Sequence, residues 1–200
     1  MNYLAHLVLS GDDPDTLVGN YIADGLKGRR PEEFAEGIRR GIRLHRRIDS
    51  FTDEHPVVRQ SRERLRSAVG KFAGVVVDVF YDHFLALRFD RYHAEPIQAF
   101  ADRVYALLQR RRDDLPEASR RFLDYMTYEN ILPRYATLPG IDQVLKGLDR
   151  RTRFDSGMDR AVEALRADYD AYSEDFERFF PALQKHVAAD VAEGRDPATR

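Results

Sequence analysis

One stretch of the chain, Gly41–Asp53 (GIRLHRRIDSFTD), carries side chains that could hold a metal ion. His45 and Asp49 are four residues apart, so a helix would place both on one face, and Asp53 continues that face one turn later. Imidazole and carboxylate groups are ligands of divalent metals. The arginines between them could bind a phosphate, because planar guanidinium groups match its oxygens in pairs. The stretch therefore predicts a site for a metal and a phosphate together.

Two further segments repeat this spacing of polar side chains. Asp78 and Asp82 are four residues apart in the most apolar part of the chain, and His83 follows them. Burying a lone carboxylate is unfavourable by several kcal/mol, so a cation between the two is expected. Asn20 and Asp24 have the same spacing in GNYIADGLKG. Taken singly, each pair is explained as well by salt bridges or by local capping.

The N-terminal segment MNYLAHL adds a weaker instance, with Asn2 and His6 four residues apart. A single histidine in a short apolar segment is usually a hydrogen-bonded core residue. Four segments with this pattern nevertheless favour a shared site, because a helical bundle brings such faces together in its interior. Histidine and aspartate together suit manganese, iron or zinc. The predicted metal ligands are drawn from Asp24, His45, Asp49, Asp78, Asp82 and His83.

Apolar periodicity and turn signals predict helices along the whole chain. Pro31 opens the helix that contains the first stretch, and Met158–Phe180 is expected to form one long helix. The β-branched residues of Gly74–Phe89 would also fit a buried strand, but the length of the apolar pattern favours a helix. We predict one all-α domain at 1–190, a single-domain bundle of about 8–9 helices, followed by a flexible tail at 191–200.

The composition narrows the class of protein. With 200 residues, 43% of them hydrophobic, the chain can build one substantial core. A formal net charge of -2 does not indicate a general nucleic-acid binder. The absence of cysteine excludes disulfides, thiolate catalysis and cysteine zinc sites. No apolar run is long enough to span a membrane, and the start of the chain lacks the pattern of a signal peptide, so we expect a cytoplasmic protein.

Charge is unevenly distributed along the chain. Between Lys27 and Arg66 there are twelve Lys and Arg against seven Asp and Glu. Between Asp155 and Asp190 there are four against nine. The first segment could face an acidic partner, whereas the second is typical of a solvated acidic surface.

Four blocks of the sequence resemble the acyl carrier protein phosphodiesterase family: MNYLAHL, GNYIADGLKG, GIRLHRRIDSFTDEHPVVR and VDVFYDHFL. The resemblance runs in order over nearly the whole chain. It implies an all-α, HD-domain-like fold that holds one or two divalent ions, manganese in this family. It also implies removal of 4'-phosphopantetheine from a serine of holo-acyl carrier protein. A usual HD protein has an adjacent His-Asp pair, which is inverted here as Asp82-His83, so ligands cannot be copied from that superfamily.

The resemblance and the spacing together suggest roles for the other polar residues. We expect a metal-activated water to attack phosphorus, with Arg46 or Arg47 neutralising the non-bridging oxygens. His83 or His6 could protonate the leaving serine oxygen. Three side chains are expected to orient ligands or water: Asn2, Asn20 and Asp53. Six arginines are expected to dock the acidic carrier protein: Arg39, Arg40, Arg43, Arg59, Arg62 and Arg66.

Two other functions fit parts of the pattern. One is an HD-type phosphohydrolase that acts on nucleotides or small phosphate esters. The other is a non-catalytic helical module that binds an acidic protein and uses its buried polar faces for salt bridges. Neither accounts for the ordered match over four blocks.

Overall fold

The computed structural model describes residues 1–26, 30–153 and 155–193 of the chain, the last four of these by backbone alone. Within these ranges the regular elements are α-helices and short 3-10 turns, without strands, so the prediction of a single all-α domain is confirmed. The α-helices are α1 (Tyr3–Leu9), α2 (Pro14–Ile22), α3 (Glu36–Glu54), α4 (Pro56–Val69), α5 (Ala73–Leu87), α6 (Ile97–Arg110), α7 (Glu117–Tyr128), the single turn α8 (Ile131–Arg134), α9 (Leu138–Asp149), α10 (Ala161–Ala167) and α11 (Tyr169–Glu193).

Helix α5 lies at the centre of the core. Most of its side chains are buried, including three of its four β-branched valines, whereas Val75 is exposed. Its aromatic residues pack against α11, with the ring centroids of Phe80 and Tyr172 5.2 Å apart in an edge-to-face arrangement. Such contacts between large aromatic side chains contribute much of the apolar burial of a core. The helix therefore forms a fixed support for the elements around it.

Helix α1 is attached to α5 through one buried carboxylate. Asp82 accepts hydrogen bonds from the backbone N–H groups of Leu4 at 2.7 Å and Ala5 at 3.2 Å. The side chain of Asn2 accepts from the N–H of Tyr3 at the same helix end. The first N–H groups of a helix have no partner inside the helix, and its dipole favours a negative charge there. These contacts fix the start of α1, and thereby the direction of the helix that carries His6.

Helices α2 and α3 approach each other through two glycines. A Cβ atom at Gly19 would lie 2.0 Å from the carbonyl oxygen of Ile38, and one at Gly41 would lie 2.1 Å from that of Thr16. Neither space admits a methyl group. Because Asn20 follows Gly19 and His45 lies one turn beyond Gly41, this close contact brings the two polar side chains together.

Several boundaries differ from the prediction. Pro31 begins a 3-10 turn, and the long helix starts only at Glu36. The helix predicted at Met158–Phe180 is divided between a 3-10 turn, α10 and α11. Helix α11 continues through Pro181 to Glu193, so 191–193 of the predicted tail are helical and 194–200 lie outside the described residues. Among the residues that the structure describes, no helix is long and apolar enough to cross a membrane.

We expect Gly41→Ala to destabilise the fold by about 1–3 kcal/mol, because the added methyl group pushes α2 away from α3. Chemical unfolding followed by helical circular dichroism measures the change. Gly147→Ala is the matched control, since the nearest atom to its Cβ would be 4.0 Å away. That change should be neutral or stabilise by up to about 1 kcal/mol. Equal effects of the two substitutions would contradict the role of the close contact.

Candidate metal centre

Two histidine rings from different helices stack at the junction of α1, α2 and α3. The centroids of His6 and His45 are 4.1 Å apart and their planes are inclined by 21°. Both side chains are buried. The Nδ1 atoms of both rings lie close to the side-chain oxygen of Asn20, at 2.9 Å from His6 and 3.0 Å from His45. One amide oxygen therefore serves both rings.

The orientation of the Asn20 amide follows from its other contacts. Its nitrogen donates to the backbone carbonyl of His6 at 2.8 Å and to the hydroxyl of Ser10 at 2.9 Å. The Ser10 hydroxyl donates to the same carbonyl of His6, so it can only accept from Asn20. A reversed amide would place two oxygens against each other. The Asn20 oxygen is therefore an acceptor, and each Nδ1 atom carries a proton.

This tautomer leaves the Nε2 atoms of both rings directed at carboxylates. The Nε2 atom of His6 is 3.2 Å from Asp49 Oδ1, and that of His45 is 3.1 Å from Asp49 Oδ2. Asp24 Oδ1 is also 3.1 Å from the Nε2 atom of His45. Unprotonated nitrogens and carboxylate oxygens repel each other unless a positive charge lies between them. The site therefore calls for a proton or a metal ion.

The pKa values in the cluster show the same preference for positive charge. Burial lowers the pKa of His45, but Asp24 and Asp49 outweigh it and raise the pKa to about 9. Burial raises the pKa of Asp49, but hydrogen bonds from His45 and His6 hold it below its usual range. Burial keeps the pKa of His6 below its usual value, although Asp49 offsets part of that effect. His45 therefore readily carries a positive charge, whereas the environment of His6 disfavours a second positive charge there.

The donor atoms fit a divalent metal. One ligand atom each from His6, His45 and Asp49 lie within 4.8 Å of one another, with both histidines buried and the carboxylate half-buried. Two imidazoles and a carboxylate suit manganese, iron or zinc. Ligands bound at about 2.1 Å on adjacent positions of an ion are about 3 Å apart, which matches the distance from each Nε2 atom to its nearer oxygen of Asp49. Asp24, which is exposed, adds a further oxygen on the solvent side.

The structure gives the other predicted ligands different partners. Asp82 is fully buried and holds the start of α1, and burial raises its pKa to about 7. Asp78 faces the α-amino group of Met1, with 3.2 Å between Oδ1 and the nitrogen. The Nδ1 atom of His83 is 2.7 Å from the carbonyl oxygen of Tyr135. Its Nε2 atom is 2.8 Å from the hydroxyl of Tyr169. These three side chains are thus engaged outside the His6–His45–Asp49 group.

The remaining predicted residues surround the cluster on α1, α3 and α4. Asn2 caps α1, while Asp53 forms an ion pair with Arg62 on α4. On α3, Arg46 is exposed and Arg47 is partly buried. Three of the predicted docking arginines form ion pairs within their own helix: Arg39 and Arg43 with Glu36, and Arg66 with Glu63. Arg59 is exposed. Arg40 joins α3 to α2 through Asp13 and Thr16.

His6 has a different place in the structure from the one that the sequence indicates. The sequence predicts a general acid or a core residue, whereas in the structure His6 contributes one of the three atoms of the candidate metal group. The only signal in the sequence was a polar ring within a short apolar helix. Asn2, four residues before His6, caps the helix and does not join His6 at the cluster. The contact that joins His6 to the site comes from Asn20 on the next helix.

Comparison with known proteins agrees with the resemblance read from the four blocks. The model of the family described as "Acyl carrier protein phosphodiesterase" matches residues 1–183. The chain belongs to the acyl carrier protein phosphodiesterase family. Relatives named acyl carrier protein phosphodiesterase from Salmonella agona (strain SL483) and Salmonella newport (strain SL254) are each 35% identical to it over 190 residues, which cover 94% of this chain and 98% of the relative. No solved structure is significantly similar to the chain.

For this member of the acyl carrier protein phosphodiesterase family, we expect Asn20→Leu to weaken divalent metal binding by roughly 10–100-fold, because side chains that orient metal-bound histidines commonly contribute that much. Titration calorimetry with Mn²⁺ measures the affinity. Asn130→Gly provides a control at a partly buried turn with φ 48°, where glycine is tolerated. Unchanged affinity in Asn20→Leu, with the fold intact, would refute the orienting role.

Proposed function

We propose that this protein hydrolyses the phosphodiester that joins 4'-phosphopantetheine to a serine of holo-acyl carrier protein, with the aid of a divalent ion. The proposed ligands are His6, His45 and Asp49, with Asp24 on the solvent side. One observation carries the proposal: a buried amide holds two imidazoles so that both Nε2 atoms face one carboxylate. Membership of the family supplies the reaction class. Manganese is the proposed ion, one or two in number, and the cytoplasm is the proposed location.

The protein's own residues prepare the site for an anionic substrate. When bound, a divalent ion lowers the pKa of a coordinated water and neutralises charge on phosphoryl oxygens. Asn20 keeps both imidazoles in the tautomer that binds metal through Nε2. Arg46 lies three residues before Asp49 on α3 and is exposed, so its guanidinium is suited to bind the non-bridging oxygens in pairs. Arg47, partly buried beside it, is a second candidate for that role.

The positioning of α1 is a separate part of the proposal. Asp82 orients His6 through the backbone of α1, and is therefore proposed as a positioning residue rather than a ligand. His83 is not assigned the role of general acid, because both its ring nitrogens are engaged by Tyr135 and Tyr169. Asp78 is paired with the α-amino group of Met1, so a role as ligand of a second ion would require that pair to separate.

Mass spectrometry of holo-carrier protein tests the proposed reaction. Incubation with this protein and Mn²⁺ should remove the mass of phosphopantetheine, and exhaustive chelation should stop the loss. A parallel panel of nucleotides and small phosphate esters examines the rival function in HD-type phosphohydrolases, which would be favoured by turnover of those compounds alone. An unchanged carrier together with absence of bound metal would instead favour a non-catalytic binding module.

We expect Asp49→Asn to lower kcat on holo-carrier by at least about 100-fold, since even residues that only orient ligands contribute 10–100-fold. Glu54→Gln, further along α3, is the matched control, because Glu54 is exposed and accepts a hydrogen bond from Ser50 instead. Its effect on kcat should be small. Steady-state kinetics with Mn²⁺ compares the two variants, and circular dichroism verifies their helical content. Comparable losses in both variants would argue against Asp49 as a metal ligand.

A basic groove between α4 and α5 is the proposed docking surface for the acidic carrier. It has a volume of about 430 Å³, and its lining has four cations against three carboxylates: Arg59, Arg62, Arg66 and Lys71 against Asp53, Glu63 and Asp78. Met1 lies between Asp78 and the cluster: the nitrogen of Met1 faces Asp78, while its carbonyl oxygen is 3.2 Å from His6 Nε2. A surface of this charge attracts an acidic protein at long range.

Arg59→Ala should raise KM for holo-carrier by roughly 2–5-fold at low salt, because an exposed charge contributes up to about 1 kcal/mol. The difference from wild type should shrink at high salt, where exposed charges are screened. Arg110→Ala, exposed at the end of α6, is the control. Kinetics at two ionic strengths provide the measurement. A KM for wild type that does not change with salt would rule out electrostatic docking.

A further inference from the structure

A second groove, with aromatic walls, lies between α1, α2 and α7. It has a volume of about 330 Å³, within the range of roughly 300–1000 Å³ that is usual for small-molecule sites. We call it the aromatic groove; its lining includes Tyr3, Tyr21, Asp24, Phe122, Tyr125 and Arg151. The mechanism described above does not use it.

The aromatic groove reaches the candidate metal centre. Asp24 lines the groove, and its Oδ1 atom is 3.1 Å from His45 Nε2. Tyr3 lines both the groove and a small cavity of about 20 Å³ that also borders His6 and His45. A molecule with its phosphate at the cluster can therefore extend directly into the groove.

The chemistry of the walls differs from that of the basic groove. The rings of Tyr3 and Phe122 are stacked, with centroids 4.3 Å apart. The hydroxyl of Tyr21 donates to the backbone carbonyl of Ser119, so its polar end is already engaged. Beyond Phe122 and Tyr125 the surface continues into an apolar cavity of about 40 Å³ bordered by Val144 and Leu148. These walls suit an uncharged, partly apolar chain.

We propose that the aromatic groove binds the pantetheine arm of the substrate, an inference that rests on the proposed function. The substrate has two unlike halves joined by one phosphate: an acidic protein, and an uncharged chain with two amides and a geminal dimethyl group. The two grooves match these halves, the basic groove by its cations and the aromatic groove by its ring surfaces. Methyl groups pack on the ring faces, and the amides bind at the open, polar edge near Arg151.

Product inhibition distinguishes binding of the pantetheine arm from binding of the phosphate. Free 4'-phosphopantetheine and inorganic phosphate are compared as inhibitors of holo-carrier hydrolysis in the presence of Mn²⁺. Wild type should be inhibited at least about 10-fold more strongly by phosphopantetheine, because only that compound has the arm. Phe122→Ala and Tyr125→Ala should each reduce this ratio by about 3–10-fold, through weaker inhibition by phosphopantetheine with unchanged inhibition by phosphate.

Tyr128→Ala is the matched control, because Tyr128 is on the same helix and is 87% exposed outside the groove. It should retain the wild-type ratio. Thermal unfolding identifies variants that fail to fold. If Phe122→Ala fails to fold because it removes a stacked ring, Arg151→Ala at an exposed position of the groove replaces it. Hydrolysis of holo-carrier with the same inhibitor ratio in wild type and groove variants would overturn the arm site alone. Absence of any hydrolysis by wild type would overturn the proposed function and the arm site with it.

Discussion

The carboxamide of Asn20 is the contact on which the candidate site depends. Its nitrogen is held by α1, through the carbonyl of His6 and the hydroxyl of Ser10, so that its oxygen must face the two imidazoles. The amide thereby sets both the tautomer and the orientation of His6 and His45. The close contact at Gly19 and Gly41 holds α2 near enough to α3 for one oxygen to reach both rings. The packing of α2 against α3 therefore determines which ring nitrogens of His6 and His45 are protonated.

Residues within one helix were predictable from their spacing. The i,i+4 relation of His45 and Asp49 brings their side chains together in the structure, because both lie on one face of α3. Spacing alone does not indicate which other helix a polar face will contact. Asp82 lies on a polar face of α5, as expected, but it turns towards the backbone of α1. The partner of a buried polar side chain depends on contacts between helices that are distant in sequence, and a periodic pattern carries no information about those contacts.

Helix boundaries show the same division between local and tertiary causes. The apolar spacing of Leu165, Tyr169 and Tyr172 continues across Asp168, so the sequence indicates one helix where the structure has α10 and α11. Pro181 lacks an N–H donor, and a proline in a helix interior usually interrupts the helix. The helix instead passes through it, with Phe179, Phe180 and Leu183 all buried. Burial of these neighbours outweighs the local preference of proline.

The junction of α1 and α3 has a mechanical consequence for the whole fold. His6 and His45 belong to segments far apart in the sequence, and α1 is otherwise held by Asp82, by Asn20 and by its own packing. An ion held by both rings would tie these segments into a closed loop and restrict the freedom of the unfolded chain. In a sequence without cysteine, the cofactor would then serve as the protein's cross-link as well as its reagent.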